Sequence, residues 1–182
     1  MEPSGLASLD ALSNELSNIS LDDKKQLSKK KTSKPIYVGV EIEPDKIHTI
    51  FSDCETPELL QSDKTVKGEF HSTLEFKPKD ITQHLPNGTQ CNIKIDGYGI
   101  SPDAIALKVM TIVTIDGIEV KHILKEGGIP HITVALADGI NAADSYLAIR
   151  DGTYVKFEEP ITLDGNIKYY YPEYKPKSKE TK

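Results

Sequence analysis

Two short segments of this 182-residue chain carry residue types suited to acid–base chemistry: His71-Ser72-Thr73-Leu74 and His131-Ile132-Thr133-Val134. In each, a His is followed two positions later by a Thr and then by an apolar residue. Side chains alternate along a β-strand, so each His and its Thr share one face of a sheet, roughly 7 Å apart. If the two strands are near neighbours, two imidazoles and two hydroxyls converge on one surface as a clamp. An in-line displacement at phosphorus uses such a set. One imidazole takes a proton from water, the other gives a proton to the leaving oxygen, and the hydroxyls hold non-bridging oxygens. An unperturbed imidazole pKa of about 6.5 lets small shifts set opposite protonation states near neutrality. His71 and His131 are therefore the candidate catalytic residues, and Thr73 and Thr133 the candidate phosphate-binding residues. The sequence does not assign the roles of the two imidazoles; we assign His71 as the acid and His131 as the base.

Composition alone would produce two such matches in roughly one chain in a hundred of this kind. The other histidines lack the pattern: His48, His84 and His122 are followed two positions later by Ile50, Pro86 and Leu124, and are assigned surface or structural places. A metal site built from His71, Glu75 and His131 is conceivable, although Glu75 is as easily a solvated strand residue. Ser72 lies on the opposite face from His71 and lacks the Gly-x-Ser-x-Gly elbow of a serine hydrolase. No Gly-rich phosphate loop occurs, and Gly127-Gly128 reads as a turn. Tyr98, Phe76 and the Tyr169–Tyr171 run could stack bases, or could pack in the core and at a sheet edge.

The elements that must position these groups are mostly strands. Ile36–Ile42 has the β-branched density of a strand, and Pro44 with Asp45 opens a short helix through Phe51. Thr56–Leu60 suggests another. Phe70–Phe76 alternates as a strand, and Cys91–Tyr98 and Ala104–Ile115 follow. Asp116-Gly117 turns the latter into Ile118–Ile123 as a hairpin. Pro130 precedes a strand over His131–Ala137. Asn141 caps a helix to about Ile149, broken by Asp151-Gly152. Tyr154–Phe157, Ile161–Leu163 and Ile167–Tyr171 complete the strands. The expected class is α+β, a mostly antiparallel sheet with helices on its outer face.

The length suits one domain with a real core, and 37% hydrophobic residues make that core small. Residues 1–34 lack aromatics, end in a Lys-rich run, and read as a disordered or partly helical arm with Leu6, Leu9, Leu12, Leu16 and Ile19 at helical spacing. The domain is expected over 35–171, followed by a basic tail over 172–182. The central 137 residues hold 12 basic and 21 acidic groups, so the field of the domain repels long nucleic-acid duplexes while leaving an RNA end or a nucleotide admissible. No apolar run is long enough for a membrane span, and the first residues do not read as a secretory signal, so a cytoplasmic or nuclear place and a monomer are expected. Cys54 and Cys91 lie 37 positions apart without a CxxC partner, and read as buried small apolar residues.

The paired tetrapeptides resemble the signature of the two-histidine phosphoesterases, a pair of His-x-Thr/Ser-apolar motifs on strands of the two halves of a bilobal sheet. The likeness covers about Pro35 to Tyr171. Within that group the chain is similar to the cyclic phosphodiesterase domain of fungal tRNA ligases, on the strength of Phe70-His71-Ser72-Thr73-Leu74, Pro130-His131-Ile132-Thr133-Val134 and a strand hairpin between them. The resemblance implies a bilobal α+β fold and hydrolysis of RNA or nucleotide 2′,3′-cyclic phosphate ends to a 2′-phosphate, with no cofactor and no metal. Two other readings stay open: a module of the same fold that binds a nucleotide or RNA end without turnover, and an enzyme acting on another ester, such as a 2′-5′ linkage or a cyclic ADP-ribose phosphate.

Overall fold

The computed structural model describes residues 34–51 and 69–172. The suggested helix at Thr56–Leu60, Cys54 and the terminal arm and tail lie outside these residues. Six strands and two short helices run in the order β1 (Tyr37–Ile42), α1 (Pro44–Ile50), β2 (Phe70–Phe76), β3 (Gln90–Ile100), β4 (Ala104–Thr114), β5 (His131–Leu136), α2 (Leu147–Arg150) and β6 (Thr153–Tyr170). All strand pairings are antiparallel. They close a ring in the order β1-β2-β5-β4-β3-β6. The resemblance implied two lobes; the observed sheet is one closed barrel. The reason is β6, whose 18 residues pair with β3 along one part and with β1 along another, tying both halves together.

The barrel is filled by the inward-facing residues of each strand. Val38, Val40, Leu74, Ile93, Ile95, Ile105, Leu107, Ile112 and Ile132 are all fully buried. This is the alternation expected of a sheet with one face in a core. Pro44 starts α1, Asp45 favours its first turn, and Ile47 plugs it into the core. Phe51 ends that segment with its ring edge-on to Tyr98 at 5.2 Å. Cys91 is buried and free.

Three sequence expectations change. Asp116-Gly117 does make a turn, with Gly117 at φ +83° and the Thr114 amide donating to Ile118 O. The returning arm is not a strand, however. It bridges β4 only at Glu119 and then crosses to β2, where Ile123 pairs beside Glu75. The single helix expected from Asn141 is instead a 3-10 turn over Ala142–Asp144, capped by the Asn141 side chain on the Ala143 amide, followed by the four-residue α2. The three final strand segments are one strand. Pro160 falls between Lys156 and Ile161, where the pairing with β3 is interrupted by a bulge and no ladder donor is needed. Among the described residues no helix is long and apolar enough to cross a membrane.

Candidate active site

Both His-x-Thr motifs lie on strands, β2 and β5, and these strands are neighbours in the ring. Their recorded pairing is a single position, Ser72 opposite Ile132. These are the middle residues of the two motifs, and both side chains are fully buried on the core side. In antiparallel register the flanking positions follow. On the register set by this pair His71 stands across from Thr133 and Thr73 from His131, and the two imidazoles lie close enough to interact electrostatically. The four candidate groups thus form a quadrilateral on the face turned away from the core, with the imidazoles on one diagonal.

The two halves of this arrangement repeat each other. The β1–β2 register slips between Val38 and Gly39, where β2 carries Leu74 as an extra residue. The β4–β5 register slips between Ile105 and Ala106, where β5 carries Val134 as an extra residue. The apolar fourth residue of each motif is therefore a bulge residue pressed into the core, at 0% and 1% exposure. After each bulge the Thr faces a small residue, Gly39 or Ala106, and the His faces a charged one, Glu41 or Lys108. A Cβ at Gly39 would come within 2.9 Å of the Ser72 carbonyl, so close approach of β1 to the first motif requires glycine there.

The imidazoles are also held alike. His71 Nδ1 lies 3.4 Å from the carbonyl of Glu69, and His131 Nδ1 lies 2.7 Å from that of Ile129, in each case two residues upstream. A carbonyl only accepts, so Nδ1 carries the proton in both; Nε2 of His71 is left for proton transfer, whereas His131 has a second backbone hydrogen bond, to Ala142. Burial pushes both pKa values down, against the pull of these carbonyls. The surroundings differ in charge. The carboxylates of Glu69 and Glu41 favour the protonated form of His71. Lys168 bridges those two carboxylates. The His71 ring is packed between phenols, stacked on Tyr37 at 5.0 Å and tilted to Tyr170 at 5.1 Å, while Tyr37 and Tyr170 stack on each other at 4.2 Å. The Tyr170 hydroxyl is buried and has no hydrogen-bond partner among the described residues. On the other side, Lys108 reaches Asp96 at 3.4 Å, and Asp96 accepts from Tyr154 Oη at 2.7 Å. Tyr146 lies 6.1 Å from the His131 ring.

The hydroxyls are not equivalent. Thr133 Oγ1 is 2.7 Å from Ser145 Oγ and 3.3 Å from the Ala142 carbonyl, so its proton is engaged. Thr73 has no hydrogen-bond partner among the described residues.

Of the other histidines, His84 is a structural residue, its Nε2 2.7 Å from Glu75 Oε2, and this pairing takes Glu75 out of the conceivable metal set. Among the described residues no three His, Cys, Asp or Glu side chains are grouped to hold a metal ion. His122 lies beside the motifs: its Nε2 is 3.0 Å from Ser72 Oγ, and it interacts electrostatically with His131. Burial pushes its pKa down to about 4. Sequence spacing had no means of finding it, because the returning arm that carries it was read as a hairpin strand. Tyr98 packs in the core, whereas Tyr170 belongs to the site.

The sequence matches no family model and no curated protein. Among solved structures the chain is similar to the crystal structure of a fungal RNA kinase, at 14% identity and a TM-score of 0.55, over 88% of this chain and 51% of that one. The likeness is one of fold, and the chain spans about half the length of that structure.

Proposed function

We propose that this protein is a two-histidine phosphodiesterase that opens 2′,3′-cyclic phosphate ends of RNA or nucleotides. The observation that carries the reading is the cross-strand quadrilateral, with two imidazoles, each fixed through Nδ1, diagonal to one another and two threonines on the other diagonal. A cyclic phosphate held between them has one imidazole on the side of the incoming water and the other behind the departing oxygen, as in-line attack requires. His131, beside Lys108, takes the proton from water as its oxygen bonds to phosphorus. The P–O3′ bond breaks, and His71, beside Glu41 and Glu69, delivers a proton to O3′. The product is a 2′-phosphate. The choice of the 3′-oxygen as leaving group comes from the resemblance to the tRNA ligase phosphodiesterases, since the quadrilateral is nearly symmetric. Thr73 donates to one non-bridging oxygen, and Thr133 to the other on turning from Ser145. The likeness in fold to an RNA kinase is in keeping with an RNA substrate.

Incubation of the purified protein with 2′,3′-cyclic AMP in EDTA, followed by phosphorus NMR, tests this. The expected result is a 2′-phosphate formed without added metal. A 3′-phosphate would overturn the leaving-group assignment, activity only with a divalent ion would overturn the mechanism, and no reaction would favour the binding module.

A further inference from the structure

The sheet face that carries the quadrilateral continues past His71. Glu41 pairs with His71 on one side and with Asn166 on the other, and Asn166 pairs with Gln90. Cross-strand partners share a face, so Gln90, Asn166, Glu41 and His71 form one transverse row. Asn92 lies next to Gln90 on this face, two residues along β3. A cavity of about 590 Å³ opens over the far end of this row, lined among others by Glu41, Glu69, Gln90, Asn92 and Asn166. Two strand spacings, about 10 Å, separate the Asn166 backbone from that of His71.

The walls are chemically selective. The three amides of Gln90, Asn92 and Asn166 have no hydrogen-bond partner among the described residues. Lys46 pairs with Glu43 and Asp164 at the exposed rim. Lys168 pairs with both Glu41 and Glu69, two carboxylates that line the cavity and also contact one another. A further phosphate would be repelled by this acidic rim. A neutral planar group with N–H donors would be received by the carboxylates, and its ring nitrogens by the amides.

We infer that this cavity is the nucleobase subsite of the enzyme and that it selects bases bearing an exocyclic amine, adenine, guanine or cytosine, over uracil. The inference rests on the cyclic phosphodiesterase reading for the position of the phosphate at the quadrilateral. Uracil turns carbonyl oxygens where the carboxylates stand, and each polar group left unmatched on binding weakens it.

The test measures kcat/KM for 2′,3′-cyclic AMP, GMP, CMP and UMP with the full chain and with the Asn92→Leu/Asn166→Leu variant, and in parallel the binding of 2′-AMP and 2′-UMP by calorimetry. The wild type should favour the amino-bearing bases over uracil by about tenfold or more. The variant should lose that preference while keeping its wild-type melting profile. Hydrolysis of all four at equal efficiency, or a preference untouched in the folded variant, overturns the subsite and leaves the phosphodiesterase standing. Tighter binding of 2′-AMP than 2′-UMP that vanishes in the variant, with no hydrolysis of any substrate, keeps the subsite and overturns the phosphodiesterase. Equal binding of both with no hydrolysis overturns both.

Discussion

His122 makes stability a function of pH in a way that one substitution can isolate. Its half-buried imidazole lies on the arm beside β2, bonded to the buried Ser72 hydroxyl at 3.0 Å, and burial holds its pKa down to about 4. In the unfolded chain the same group titrates near 6.5. A His with a depressed folded-state pKa contributes stability above the unfolded value and loses it as pH falls, because the unfolded chain binds a proton that the native one refuses. Between pH 7 and 4.5 the slope approaches about 1.4 kcal/mol per pH unit only in the middle of the range, and the loss is about 2.5 kcal/mol in all. The His122→Gln variant keeps a group able to bond to Ser72 but has nothing to protonate. Urea unfolding of both proteins at pH 7 and at pH 4.5 should show the variant gaining about 2.5 kcal/mol relative to wild type on acidification. Comparing the two proteins at each pH cancels the contributions of all other groups. A difference between them that stays constant over that range would refute the burial argument.

Lys168→Met should leave Glu41 and Glu69 uncompensated beside His71, raising its pKa; if His71 is the acid, the alkaline limb of the kcat/KM profile moves to higher pH, whereas movement of the acid limb would exchange the two roles. Because burial depresses both imidazoles, the wild-type optimum should fall on the acid side of pH 6.5, a shift from the near-neutral balance expected of unperturbed groups. His71→Ala and His131→Ala should each lower kcat by about 10²–10⁴, while His84→Ala leaves turnover intact, as rate assays on folded protein would show. Gly39→Ala should cost roughly 1–3 kcal/mol in chemical denaturation, because its Cβ meets the Ser72 backbone rather than a movable side chain.

The sequence made the motif strands legible because each carries a clean period of two, and Phe70–Phe76 is a strand with the bounds read from its pattern. The α1 segment was equally plain from Pro44 and Asp45. What stayed hidden depends on register across the ring. That Ser72 faces Ile132, that Glu41 and Lys108 flank the two histidines, and that the fourth motif residue is a bulge are all pairings between distant segments, to which local spacing is blind. The three final segments read as separate because the residues between them are polar or break the pattern, whereas a bulge carries β6 through without interruption. The Ile118–Ile123 arm misled because its composition suits a strand, while its partner changes from β4 to β2 midway.

The seam between β2 and β5, joined at one residue pair while β3 and β4 are laddered along nearly their whole length, bears on how the molecule acquires activity. Ser72 and Ile132 are 60 positions apart in the chain, and closing so long a loop returns little backbone bonding for the entropy it costs. The hairpin of β3 and β4 has the opposite balance, with a short connection and many pairs. The seam is therefore expected to shut last during folding. Since the two motifs do not meet until then, the proposed phosphodiesterase activity should, in a refolding experiment, lag the recovery of β-structure seen by circular dichroism. Simultaneous recovery of the two signals would place the seam in the early nucleus instead.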